Sequence, residues 1–165
     1  MKPQRIHLSR RKDFNQTQTT RSNMNDRIRT VIGIDPGVNT GMAATFDGIL
    51  VEVYTASFTK AQADILELVN RGNALELVIE DPRGQYVPFH QREPQRIKGV
   101  GSVERDAKLW IEFAEFYGIK YRTVKPGKYR KIDAKTFKAW TGWTGRTSEH
   151  ARAAAMMVFE KQRTK

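Results

Sequence analysis

The sequence contains no cysteine. Disulfides and thiolate metal sites are therefore excluded, and any metal must be held by Asp, Glu, His or Asn. That favours hard cations such as Mg2+ or Mn2+ over structural zinc. No run approaches the roughly 18 apolar residues that a membrane span needs, and no charged n-region leads into an apolar stretch, so no secretory signal is read. Acidic residues are scarce beside basic ones: 18 Asp and Glu against 29 Lys and Arg give a formal net charge of +11. An imbalance of that size points to a polyanionic partner, nucleic acid first and an anionic membrane second. What is present is an apolar share of 39% in 165 residues, enough for one domain with a core.

Residues 1–29 read as a basic, flexible arm. They carry Lys2, Arg5, Arg10, Arg11, Lys12, Arg21, Arg27 and Arg29 against Asp13 and Asp26, and Gln16 to Asn25 is polar without period. Such a segment buries too little apolar surface to offset its ordering entropy. A solvated tail and a DNA-tracking arm both fit, and an Arg-rich organellar transit peptide is a third option without a clear amphipathic pattern to support it.

Residues 30–165 read as a folded α/β domain. Val31, Ile32 and Ile34 favour a half-buried strand, which Asp35-Pro36-Gly37 terminates. Asp35 is thus held at a strand end beside an open turn. Met42 to Phe46 and Leu50 to Ala56 read as two further strands of a meander joined at Asp47-Gly48. In the latter, Val51 and Val53 alternate with Glu52 and Tyr54. Thr59 to Gln62 fits a capping box for a helix whose face is Ala61, Ile65, Leu68 and Gly72. Leu75 to Glu80 is a fourth strand ending on acid. Reached through a helix, it is most easily placed parallel to the first strand by a right-handed crossover, which sets Asp35 and Glu80 at the same edge of the sheet.

Residues 82–101 read as a long basic loop with Arg83, Arg92, Arg96 and Lys98 interleaved with Tyr86 and Phe89. That composition suits phosphate contact and base stacking, or a surface loop whose aromatics pack back on the domain. Ser102 to Tyr117 is a helix with two apolar stripes, the second being Leu109, Phe113 and Phe116. So wide an arc fits deep burial or a second subunit. Lys120 to Val124 is a fifth strand. Lys125, Lys128, Arg130, Lys131, Lys135 and Lys138 follow, against Asp133 alone, as the first candidates for contact with DNA phosphates, with a short helix from about Asp133 to Trp140. Thr147 or Ser148 caps a last helix running to about Lys161, on which Ala151, Ala154, Ala155 and Val158 make a small-residue face able to lie flat on a sheet.

If that last helix crosses the acidic edge, His150 joins Asp35 and Glu80, and two carboxylates with an imidazole can bind a divalent metal. A surface or core histidine is the simpler alternative when His150 is taken alone.

Gly33-Ile-Asp-Pro-Gly-Val-Asn-Thr-Gly41, Val78-Ile-Glu80, the basic stretch Lys125 to Lys138 and the His150 helix together resemble the RuvC Holliday junction resolvases, in particular bacteriophage and other divergent members. The resemblance covers about residues 30–160. It implies an RNase H-like fold, here a five-stranded mixed sheet flanked by helices, and a homodimer that cuts four-way or branched DNA with Mg2+ or Mn2+. It also implies paired nicks with 5′-phosphate and 3′-hydroxyl ends, and action in the cytoplasm of a bacterial or phage-infected cell. Asp35, Glu80 and His150 match the metal ligands. The family pattern calls for aspartate at position 153, where this sequence has Ala153. Three explanations stand: an engineered replacement that blocks cleavage, an oxygen supplied instead by Glu149 or Asp81, or a natural protein that binds junctions without cutting them. A non-catalytic DNA-binding protein and an RNase H-like nuclease acting on flaps or RNA–DNA hybrids are the competing functions.

Overall fold

The computed structural model describes residues 29–83, 94–127 and 132–159, with the side chains of 94–100 left out. The arm up to residue 28 and the candidates Tyr86, Phe89, Arg92, Lys128, Arg130 and Lys131 lie outside the described residues.

Five strands form one mixed sheet in the order β3-β2-β1-β4-β5. They are β1 (Thr30–Asp35), β2 (Asn39–Phe46), β3 (Ile49–Ser57), β4 (Leu75–Glu80) and β5 (Lys120–Val124). The first three make the antiparallel meander, and β4 runs parallel to β1 with Ile34 opposite Ile79. β5 is parallel to β4. Four helices flank the sheet: α1 (Phe58–Asn70), α2 (Pro94–Tyr117), α3 (Ala134–Thr141) and α4 (Glu149–Val158).

Strand alternation sorts the core into two layers. Ile32, Ile34, Met42, Leu77 and Ile79 point to one face, where they meet Ala61 and Ile65 of α1 and Trp110, Phe113 and Ala114 of α2. Ala43, Val53 and Val78 point to the other, against Phe137 of α3 and Ala151, Ala154, Ala155 and Val158 of α4. The small-residue face of the last helix therefore packs on the sheet as its composition suggests.

Four local expectations change. Ser57, not Thr59, caps α1, its Oγ accepting from the Lys60 N–H. Val51 and Val53 do not share a face: the β2–β3 register slips between Ala44 and Thr45, which leaves Val51 as the extra residue of a bulge and exposes it. α2 starts at Pro94 rather than Ser102, so Arg96 and Lys98 are helical. Gly99 and Gly101 each cost a helix about 1 kcal/mol relative to alanine, which is why this turn reads as loop, while Pro94 suits the first helical position. Finally, α4 stops at Val158 with an extended Phe159, because the polar run after it offers no further apolar position to the sheet.

Candidate active site

Asp35 and Glu80 are the last residues of two adjacent parallel strands. Neighbouring strands lie about 4.8 Å apart, so the two acids stand side by side. Alternation turns both toward α4, and both are buried, Asp35 at 1% exposure and Glu80 at 4%. A charged carboxylate so far from water requires compensation by hydrogen bonds, a proton or a cation.

α4 supplies part of it. Nδ1 of His150 lies 2.8 Å from Oδ2 of Asp35, and the His150 side chain is 52% exposed. An ionised Asp35 can only accept, so the proton of this bond sits on Nδ1 and leaves Nε2 as the second functional nitrogen. Oδ1 of Asp35 and Oε1 of Glu80 accept no hydrogen bond from the described residues, though both side chains have other interactions.

The pairing depends on how closely α4 approaches the sheet, and two glycines set that distance. A Cβ on Gly41 would stand 2.2 Å from the His150 carbonyl oxygen, and one on Gly33 would stand 2.2 Å from that of Ala154. Only hydrogen fits at either position. The N-terminal end of α4 is then fixed laterally. Ser148 Oγ accepts from the Ala151 N–H at 3.0 Å and shares a 2.5 Å hydrogen bond with Thr55 Oγ1 on β3. Arg152 donates through Nε to the Ile132 carbonyl (2.7 Å) and through a terminal nitrogen to the Thr147 carbonyl (3.0 Å). Residue types alone give no hint of the Gly41, Thr55 and Arg152 contacts.

Glu80 also borders open space. It shares a cavity of about 160 Å3 with Lys125, Ala153, Met156 and Met157. Ala153 thus faces Glu80 across space large enough for a longer side chain. Among the described residues, no three His, Asp or Glu side chains group closely enough to hold a metal by themselves. The structure thus brings Asp35 and Glu80 to one sheet edge and places His150 on Asp35.

Neither proposed substitute for the missing aspartate is well placed. Asp81 is occupied: Oδ1 accepts from the Arg83 backbone N–H (3.0 Å) and Nε (2.9 Å), and Oδ2 from its terminal nitrogen (2.9 Å). Those bonds hold the Asp81 carboxyl below its ordinary pKa against the opposing effect of burial. Glu149 is exposed in the first turn of α4. Of the basic candidates, Arg83 is tied to Asp81, Lys125 donates to the Arg83 carbonyl, and Lys135 and Lys138 are exposed on α3.

No family model matches this chain, and no curated protein matches it. Among solved structures, T. thermophilus RuvC in complex with Holliday junction substrate matches with a TM-score of 0.51. The match covers 78% of this chain and 90% of that one, at 17% identity. The fold is RNase H-like. At this identity the likeness concerns the path of the backbone. In addition, no helix among the described residues is long and apolar enough to cross a membrane.

Proposed function

We propose that the protein is a structure-specific endonuclease that hydrolyses phosphodiesters in four-way or branched DNA. The observation that carries this reading is the Asp35–His150 pair, 2.8 Å apart, beside the buried Glu80 at the carboxyl edge of β1 and β4. The +11 charge supports a polyanionic substrate, and the backbone likeness to a junction-bound RuvC supports a branched one.

The donor chemistry suits Mg2+ or Mn2+, which are commonly held by one or two carboxylates plus substrate phosphate and water rather than by an all-protein cage. Asp35 and Glu80 would hold the cation, which when bound activates a water and stabilises the leaving oxygen. His150 keeps its Nδ1 proton on Asp35, and its Nε2 can exchange a proton with a water or a departing oxygen. Burial of the two acids excludes bulk water from the same corner. The expected ends are a 5′-phosphate and a 3′-hydroxyl. Paired nicks need two sites, and the apolar residues that α2 leaves exposed, Leu109, Phe116 (82%) and Tyr117, support a homodimer.

Ala153 favours one alternative, a protein that binds branched DNA without cutting it, because the cavity opposite Glu80 lacks the third carboxylate. Mg2+-dependent nicking of a synthetic four-way junction separates the two, run beside flap, RNA–DNA hybrid and duplex substrates. Junction nicking by the unaltered chain that disappears in Asp35→Asn is the expected result. Tight junction binding with no nicking by the unaltered chain and none by Ala153→Asp rejects the nuclease and leaves the binding protein, whereas nicking gained in Ala153→Asp keeps the nuclease and assigns Ala153 to a blocked site.

A further inference from the structure

A cleft separate from the acids lies between α3 and residues 143–147. It has a volume of about 300 Å3, and its walls include Phe137, Lys138, Trp143, Gly145, Arg146 and Thr147, with no acid among its lining residues. We infer that this cleft binds a backbone phosphate of the DNA strand that leads to His150. The inference rests on the nucleic-acid reading above and gives it a specific subsite.

The side-chain nitrogens of the cleft can only donate. Lys138 and Arg146 are exposed cations, and neither forms an ion pair among the described residues. The Trp143 Nε1–H is buried and finds no acceptor among the described residues. Gly145 lies against that edge of the indole, since a Cβ there would stand 2.8 Å from Nε1. A buried donor without an acceptor is costly, and an ammonium and a guanidinium around one hollow, with the indole N–H beneath Gly145 at its wall, suit an anion with several oxygens. The floor is apolar: Phe137 is fully buried and Trp143 packs on the same core, which strengthens electrostatic attraction above it.

The cleft is also built rather than incidental. Asp133 caps α3, and Gly142 closes it in the left-handed conformation. The Trp143 N–H donates to Thr141 Oγ1 at 3.1 Å. Arg152 holds Thr147 by its carbonyl and its hydroxyl. Thr147 directly precedes the Ser148 cap, so the positive end of the α4 dipole adds to the field. His150 follows within the first turn. A phosphate seated here therefore belongs to the stretch of strand beside Asp35, whereas a free anion would gain nothing from that adjacency.

The test is binding of a fluorescent four-way DNA junction by the full chain over a salt series. The variants are Arg146→Ala, Lys138→Ala and Trp143→Phe, with Lys60→Ala on the opposite face of the sheet as control. Arg146→Ala is expected to weaken binding about tenfold and to reduce the slope of log K against log salt by about one. Lys60→Ala should change neither. The Trp143 indole N–H resonance, assigned by its loss in Trp143→Phe, should shift with junction DNA and not with inorganic phosphate at millimolar concentration. A chain that binds the junction with unchanged affinity and slope in both cation variants overturns the subsite and leaves the nuclease proposal standing. A resonance that shifts with inorganic phosphate alone overturns the strand assignment. No junction binding by the unaltered chain overturns both proposals, while binding that depends on Arg146 without nicking supports the subsite in a non-catalytic protein.

Discussion

His150 and Asp35, 115 positions apart in the chain, meet through a 2.8 Å hydrogen bond between Nδ1 and Oδ2. One partner is half exposed and the other is sealed in the sheet, so their removal has different consequences. Asp35→Asn keeps the shape but loses the charge that a cation or an imidazolium needs, and nicking is expected to fall at least a thousandfold. His150→Ala removes an exposed ring together with a hydrogen bond to a buried carboxylate; it is expected to cost roughly a hundredfold in nicking, within the range of a lost acid–base group, and about 1–3 kcal/mol in stability. Single-turnover junction cleavage together with urea denaturation separates the chemical effect from the structural one.

The contact between α4 and the sheet should tolerate no side chain at Gly41. A methyl there would overlap the His150 carbonyl oxygen, carbon and the next backbone nitrogen, all within 2.9 Å. Since those are main-chain atoms, the helix itself must move. Gly41→Ala is expected to destabilise the fold by roughly 1–3 kcal/mol, the usual range for overpacking, and to lengthen the Asp35–His150 bond. Gly33→Ala meets the helix one turn later, at Ala154 and Val158, and should cost similar stability while disturbing His150 less. Chemical denaturation of both variants, with the His150 ring nitrogens followed by NMR, distinguishes the two positions.

Much of this arrangement is legible in the sequence where local chemistry decides it. The bounds of β4 and β5 follow from short β-branched runs closed by Asp-Pro and Lys-Pro. The parallel pairing of β1 and β4 follows from the helix between them and puts two strand-end acids together. The reading stops where a residue acts through tertiary contact. Gly33 and Gly41 look like part of a turn motif, yet their function is to let a distant helix approach. Arg83 is a candidate phosphate contact, and its bonds to Asp81 two residues away are not legible from residue type. Gly99 and Gly101 look like loop, yet they lie within α2.

The cavity at Ala153 supports an expectation about stability as well as activity. Ala153→Asp would place a second carboxylate opposite the buried Glu80 in a space of about 160 Å3. Sterically this is tolerated. Electrostatically it sets like charges together, with Lys125 the cation in the cavity wall. The variant is expected to be less stable than the parent by roughly 1–3 kcal/mol without divalent cation. Millimolar Mg2+ or Mn2+ should restore the difference by binding the folded state. Thermal unfolding with and without cation reads this directly, and a variant indifferent to cation would show that position 153 does not face a metal-binding space.

The cap of α4 should be worth more than an ordinary helix cap. Ser148 serves the Ala151 N–H and Thr55 at once, so Ser148→Ala loses the cap, about 1 kcal/mol, together with the tie to β3. Thr55→Ala removes only the tie and leaves the cap intact. If the tie positions His150, both variants should slow junction nicking while only Ser148→Ala clearly lowers the unfolding midpoint. Equal activity of Thr55→Ala and the parent would assign Ser148 to helix stability alone.

Asp81 gives the fold an acid-sensitive element next to Glu80. Its carboxyl is held below the ordinary aspartate value by hydrogen bonds from Arg83, against burial that acts the other way. A depressed folded-state pKa means that the stabilisation is fully present above the unfolded value, near pH 4, and is lost as the pH falls through the lower, folded value. Arg83→Ala removes the partner of a carboxylate that is otherwise buried, and burial alone raises the pKa. The variant should therefore lose roughly 1–3 kcal/mol at neutral pH. Its acid limb should lose the Asp81 contribution, because that contribution exists only while the folded-state pKa lies below the unfolded one; with burial raising the folded value, protonation of Asp81 favours the folded state as the pH falls. Unfolding free energies measured from pH 3 to pH 7 for the parent, Arg83→Ala and Asp81→Asn test both signs. Asp81→Asn should flatten the acid limb that the parent shows, and an unchanged limb would place the acid sensitivity in other carboxylates.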